Sequence, residues 1–227
     1  MEKNIEAFGG TIRFKNLMKQ LVKNITILTT YVKEMINSSI GALLEDNEEE
    51  YLILEKKLDD VHLYMEKLDN SVMNSIALHQ PFASDLRFLI SSLKISNEVH
   101  RCAHNAVHIA QSSKFIERNM KCYAVVIEEI GSLARKALIM YETSVTAFLM
   151  RKALDSDRWV ELDDEIDSLH EKIITDIRKI MSDDCKNINA GTSLILATRY
   201  IERIADHACN IVEESTYVVT SKREKIT

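Results

Sequence analysis

One proline, Pro81, and five glycines are spread over 227 residues, and this scarcity of breakers is the strongest constraint on the fold. A many-stranded sheet needs frequent tight turns, and tight turns draw on Gly and Pro. The chain has few places to reverse, so it reads as long uninterrupted elements. Their type follows from apolar spacing. Ile12, Leu17, Leu21, Val22, Ile25, Leu28, Val32, Met35, Ile36 and Leu43 recur at three, four and seven, which predicts an amphipathic helix over 12–44.

The same period continues along the chain. Leu52, Leu58, Val61, Met65, Leu68, Val72 and Ile76 predict a second helix over 48–78, preceded by the acidic run Glu45 to Glu50 as a turn. His79-Gln80-Pro81 ends it, because a proline disfavours helical geometry at the residue before it. A third helix over 83–113, with Ser84 or Asp85 as its cap, carries Leu86, Leu89, Ile90, Leu93, Val99, Ala103, Ala106 and Ile109 on one face. His100, His104 and His108 lie on a neighbouring face. A polar connection at Glu117-Arg118-Asn119 leads to a fourth helix over 121–153, with Asp155 and Ser156 as its stop and the next cap. A fifth over 157–181 follows, and a sixth over 190–220.

Composition narrows the function classes. A net charge of −6 and a pI near 5.7 argue against nucleic acid or anionic lipid as the main partner. Cys102, Cys122, Cys185 and Cys209 are scattered without a Cys-x-x-Cys pair, and Met1 to Gly10 has no apolar signal core, so the chain is expected in the cytoplasm with free thiols. No window approaches the roughly 20 apolar residues of a membrane span, so any membrane role is peripheral, through partners.

Chemistry concentrates on the last two helices and the third. Glu202, Asp206 and Asn210 recur at i, i+4 and i+8, and Asp163 and Asp167 stand one turn apart on the fifth helix. Paired carboxylates on a rigid helix suit a hard cation such as Mg, Mn, Ca or iron, with a second helix needed to complete the ligand set. The bland alternative is a solvated acidic stripe. The chain also repeats internally. Setting His104 on Asp206 places Arg101 on Arg203, Ala103 on Ala205, Ala106 on Ala208, Ile109 on Ile211 and His100 on Glu202, while Leu58, Val61 and His62 answer to Asp163, Ile166 and Asp167. The expected architecture is all-α: two three-helix bundles in tandem, residues 1–117 and 118–227.

The stretches Gln80-Pro81-Phe82-Ala83-Ser84-Asp85-Leu86-Arg87, Lys94-Ile95-Ser96 and Tyr200-Ile201-Glu202-Arg203-Ile204-Ala205-Asp206-His207-Ala208-Cys209-Asn210-Ile211, with the sixfold helix count, resemble the PhoU family, regulators of phosphate uptake. The resemblance covers nearly the whole chain. It implies two three-helix bundles, a metal cluster on each held by Glu or Asp followed four residues later by Asp, and partnership with a phosphate ABC transporter and a phosphate-sensing histidine kinase. It also implies association, with a homodimer expected. Asp163 with Asp167 and Glu202 with Asp206 match the motif. In the first repeat Leu58 with His62 and His100 with His104 stand in its place, so that site is either lost or rebuilt with imidazoles for Zn, Ni, Cu or Fe. The expected cofactor is a divalent or trivalent metal ion, Fe, Mn, Mg or Zn.

No catalytic residue is assigned, since neither a nucleophile triad nor a Gly-rich phosphate loop is present. A ferritin-like di-metal oxidoreductase would need Glu-x-x-His on two helices, and Asp167-Ser168-Leu169-His170 is the nearest approach. A metal-free helical adaptor for another transporter is the third reading.

Overall fold

A computed structural model describes residues 8–45, 50–113 and 121–226. Six long helices account for nearly all of them: α1 (Ile12–Glu45), α2 (Glu50–His79), α3 (Ala83–Ser112), α4 (Ala124–Leu149), α5 (Ser156–Asp183) and α6 (Ile188–Thr220). Single 3-10 turns at Lys121–Tyr123 and Cys185–Asn187 lead into α4 and α6, and no strand occurs among the described residues. With 34 residues, α1 spans about 51 Å at the helical rise. The acidic turn at 46–49, the connection at 117–119 and the boundary between 117 and 118 lie outside the described residues.

The ends of the helices follow local chemistry. Asp155 caps α5, its carboxylate accepting from the backbone N–H groups of Asp157 and Arg158 at 3.1 and 3.4 Å. At the α2–α3 turn Gln80 takes φ 44°, a left-handed conformation that breaks the helix just ahead of Pro81. The fourth helix ends at Leu149, short of the expected Ala153, because Arg151 turns to φ 51°. Neither Ser84 nor Asp85 caps α3, where Phe82 occupies the cap position without a side-chain bond. Asp85 has another task. Its Oδ2 accepts from the Gly9 N–H at 3.1 Å and its Oδ1 faces Arg151 Nη2 at 3.4 Å, with both side chains largely buried. The Arg151 guanidinium also lies over the ring of Phe8 at 4.7 Å.

Each outer helix packs on two neighbours: α2 on α1 and α3, α5 on α4 and α6. The four remaining helices form a shared wall in which α3 lies along α6, α1 along α4, and α4 along α6. The two three-helix sets therefore have one continuous core, running from Met18, Leu21 and Leu28 through Phe88, Val99 and Ala106 to Phe148, Ile204 and Ile211. Most apolar positions read from the sequence face it. Ile12, Leu52 and Ile90 do not, at 81%, 54% and 41% exposure. Ile12 and Leu52 sit in first helical turns where Phe14 and Leu54 take the buried positions. Ile90 falls beside the inward pair Phe88 and Leu89, which take the buried positions.

The α3–α6 seam is antiparallel. Arg87 Nε donates to the Val218 carbonyl, Ser91 Oγ and Lys94 Nζ both donate to Glu214, and Glu98 meets His207 and Asn210. Farther along, His108 stacks on Tyr200 with ring centroids 4.8 Å apart. The Glu214 carboxylate is buried, and burial alone would push its pKa up. Bonds from Lys94 (2.7 Å), Ser91 (2.7 Å) and Arg223 (2.9 Å) outweigh that and hold it below the usual carboxylate value.

Two outcomes are expected. Asp85→Ala leaves a buried guanidinium without its counter-ion and should cost about 3 kcal/mol or more in chemical denaturation. Glu214→Gln should cost about 1–2 kcal/mol at pH 7. Because the folded pKa lies below the unfolded one, the Glu214 contribution is fully present above the ordinary value of 4.5 and fades as pH falls through the folded value. The gap between wild type and variant should accordingly close in unfolding measured below pH 4.5, and a constant gap down to acid pH contradicts the assignment.

Candidate metal centres

Two polar clusters form where an outer helix meets the seam. In the first, α2 presents His62 and α3 presents His100 and His104, one turn apart on the face toward α2. His100 Nε2 lies 3.0 Å from His62 Nε2 and 3.1 Å from His104 Nε2, and the three ligand atoms lie within 4.8 Å of one another. A neutral imidazole nitrogen is either a donor or an acceptor. His100 Nε2 can therefore complete one hydrogen bond to these neighbours, not two, and protons alone leave the group short of partners. A metal ion at the centre uses all three lone pairs. Nitrogens bound tetrahedrally to zinc at 2.0–2.1 Å stand about 3.3 Å apart, close to the spacings of His100 from His62 and from His104.

The electrostatics suit ligation. Burial, then the neighbouring imidazoles His104 and His62, then Arg101 push the His100 pKa down to about 4. Burial, with His108 and His62, also lowers that of His104. Both rings are neutral at pH 7 and keep a lone pair for a metal. His100 also lines a polar cleft of about 530 Å³, with Lys94, Glu98, Arg101 and Glu213 among its walls. His108, on the same sequence face, leaves the group to stack on Tyr200.

The second cluster joins Asp163 and Asp167 of α5 to Glu202 and Asp206 of α6. Asp163 is buried, Glu202 and Asp206 are half-buried, and Asp167 is exposed. Burial, then Asp206 and Asp167, pushes the Glu202 carboxyl up to about 7. Burial raises Asp206, with Asp167 adding to it, and burial raises Asp163, with Asp167 and Asp206 adding to it. The four groups form one electrostatic cluster. Its ligand atoms are less closely gathered, since among the described residues only the three histidines bring three such atoms within 4.8 Å.

Neighbouring side chains differ from the sequence reading. Asn210, expected beside Glu202 and Asp206, donates instead to Glu98 Oε2 at 2.9 Å, and His207 Nδ1 meets the same oxygen at 2.8 Å. Burial pushes the Glu98 pKa up, but these two bonds outweigh it and hold it below the ordinary carboxylate value. The buried Cys209 thiol donates to Asp163 Oδ1 at 3.4 Å, fixing that carboxylate in place. His170, which the sequence offered only as a failed Glu-x-x-His, is buried on α5 with Asp167 and Asp206 acting on it. Its spacing of three from Asp167 was the available signal.

The chain matches the PhoU domain model twice, over residues 25–113 and 130–215. It is 27% identical over 211 residues to the phosphate-specific transport system accessory protein PhoU homolog of Clostridium acetobutylicum, covering 92% of this chain and 95% of that one. To the homolog of the same description from Deinococcus radiodurans it is 30% identical over 161 residues, 70% of this chain and 73% of that one. Two solved folds are similar: PhoU from Pseudomonas aeruginosa (TM-score 0.83, 23% identity, 92% and 100% covered) and the phosphate transport system regulatory protein PhoU from Streptococcus pneumoniae (TM-score 0.84, 22% identity, 93% and 99% covered). With both matched segments falling on the two three-helix sets, the chain belongs to the PhoU family.

Proposed function

We propose that the chain is a non-catalytic, metal-binding regulator of phosphate uptake and phosphate-dependent signalling in the cytoplasm, acting by docking on a phosphate ABC transporter and its sensor histidine kinase. Relatives described as accessory proteins of phosphate-specific transport support the transport role. No helix among the described residues is long and apolar enough to cross a membrane, so in this reading the partners bring the protein to the membrane. The long helices offer the surface for docking and for pairing with a second copy.

The observation that carries the metal-binding part is the convergence of three Nε2 atoms from His62, His100 and His104. In this reading the triad takes a transition ion such as Zn, Ni, Cu or Fe. Asp163, Asp167, Glu202 and Asp206 take a multivalent cation that relieves their mutual repulsion. The two halves of one repeat architecture then respond to different ions.

Binding to the folded state alone stabilises a protein by about 2.7 kcal/mol at a hundredfold excess over Kd. After chelation, Zn should therefore raise the unfolding midpoint of the wild type by about 5–10 °C, and His100→Ala/His104→Ala should bind one Zn fewer per chain in equilibrium dialysis. Equal Zn stoichiometry in both rejects the triad. For the regulatory role, the purified protein should bind the ATPase subunit of the phosphate transporter or the cytoplasmic part of the phosphate-sensing kinase from its own genome. Failure to bind either, with and without metal and phosphate, rejects that role.

A further inference from the structure

We infer that His170 is a ligand of the α5–α6 site, which makes that site selective for a first-row transition ion such as Mn, Fe or Zn over Mg or Ca. This rests on the reading that the four carboxylates hold a cation, and it adds the donor that decides which cation.

His170 is 9% exposed, and its Nε2 is buried with no hydrogen-bond partner. A buried polar nitrogen left in that state costs about 1–3 kcal/mol, so a packing role alone does not account for it. Its position identifies the missing partner. Asp163, Asp167 and His170 follow one another at i, i+4 and i+7, which puts them on one face of α5. That helix packs on α6, and Asp167 of its own helix and Asp206 of α6 both act on the His170 ring. The His170 ring therefore lies on the face of α5 that carries the acids, within electrostatic reach of Asp206 on α6.

The consequence is chemical. Imidazole suits Fe and Zn, binds Mn more weakly, and is a poor ligand for Mg and Ca, which prefer an all-oxygen shell. Four carboxylates alone would not discriminate in this way. The Cys209 thiol donates a hydrogen bond to Asp163 and so acts as a positioning group for that carboxylate.

The test uses the full chain carrying His100→Ala and His104→Ala, which removes the imidazole triad. Mn(II) is added after chelation and followed by titration and by pulsed electron paramagnetic resonance. The expected result is a ¹⁴N coupling to bound Mn(II) that changes to the ¹⁵N pattern when the histidines are isotopically labelled. In His170→Gln the coupling should vanish and Mn(II) affinity should fall at least about tenfold, with Mg affinity unchanged. The labelling experiment needs no change at position 170, so misfolding of His170→Gln does not decide the matter. Mn(II) that binds through Asp206, as judged by loss in Asp206→Asn, but shows no coupled nitrogen overturns the assignment of His170 and leaves the carboxylate site standing. Binding of Mn(II) indifferent to Asp206→Asn overturns both.

Discussion

The antiparallel contact between α3 and α6 is the interaction on which the rest of the molecule depends. It joins the two three-helix sets through buried and part-buried polar ties at separate levels: Arg87 with the Val218 carbonyl, Ser91 and Lys94 with Glu214, and Glu98 with His207 and Asn210. Such ties contribute modest net energy when satisfied, but leaving one member unpaired is expensive, so they select one register between helices whose apolar faces would tolerate several. Each helix of the seam also carries half of a polar cluster on another face. α3 supplies His100 and His104 for α2 to complete, and α6 supplies Glu202 and Asp206 for α5 to complete.

This arrangement makes the two clusters equivalent in architecture and unequal in chemistry. Neutral imidazoles bring lone pairs without charge, so the first cluster suits ions that gain from nitrogen donors. The second gathers negative charge, which burial makes costly, and there the Glu202 carboxyl rises to about 7. Glu98 adjoins both, two residues before His100 and bonded to the residue after Asp206. Its carboxylate is held charged by His207 and Asn210, so the boundary between the clusters is a fixed hydrogen-bonded junction.

Much of this was legible in the residue order. Six helices follow from the 3.6-residue apolar period and the scarcity of breakers, and their ends shift by a few residues where the backbone turns at Gln80 or Arg151. The pairing of His62 with His100 and His104 was also readable, through the internal repeat. Other features were not readable because they depend on which helix lies opposite. Asn210 shares a sequence face with Glu202 and Asp206, yet Glu98 on α3 captures its amide. His108 repeats the spacing of His100 and His104, yet Tyr200 offers its ring a stacking partner. Asp85 looks like a helix cap, and becomes instead the counter-charge for an arginine 66 positions away. In each case a long-range partner outcompetes the local pattern.

The seam also imposes an order on the birth of the protein. Its ties close loops of 109 to 131 residues, from Glu98 to His207 and from Arg87 to Val218. While the chain leaves the ribosome, α3 has its partners α1 and α2 already made, but the strip destined for α6 stays wet. At roughly 5–20 residues per second, α6 follows on the order of 5–20 s later. During that interval the first three helices display an unfinished apolar strip ringed by unpaired polar groups, including Lys94 and Glu98. A nascent chain in this state is a substrate for chaperones and for pairing with the α3 of a neighbouring chain. The late arrival of α6 thus makes its docking on α3 the step that closes the two sets on each other.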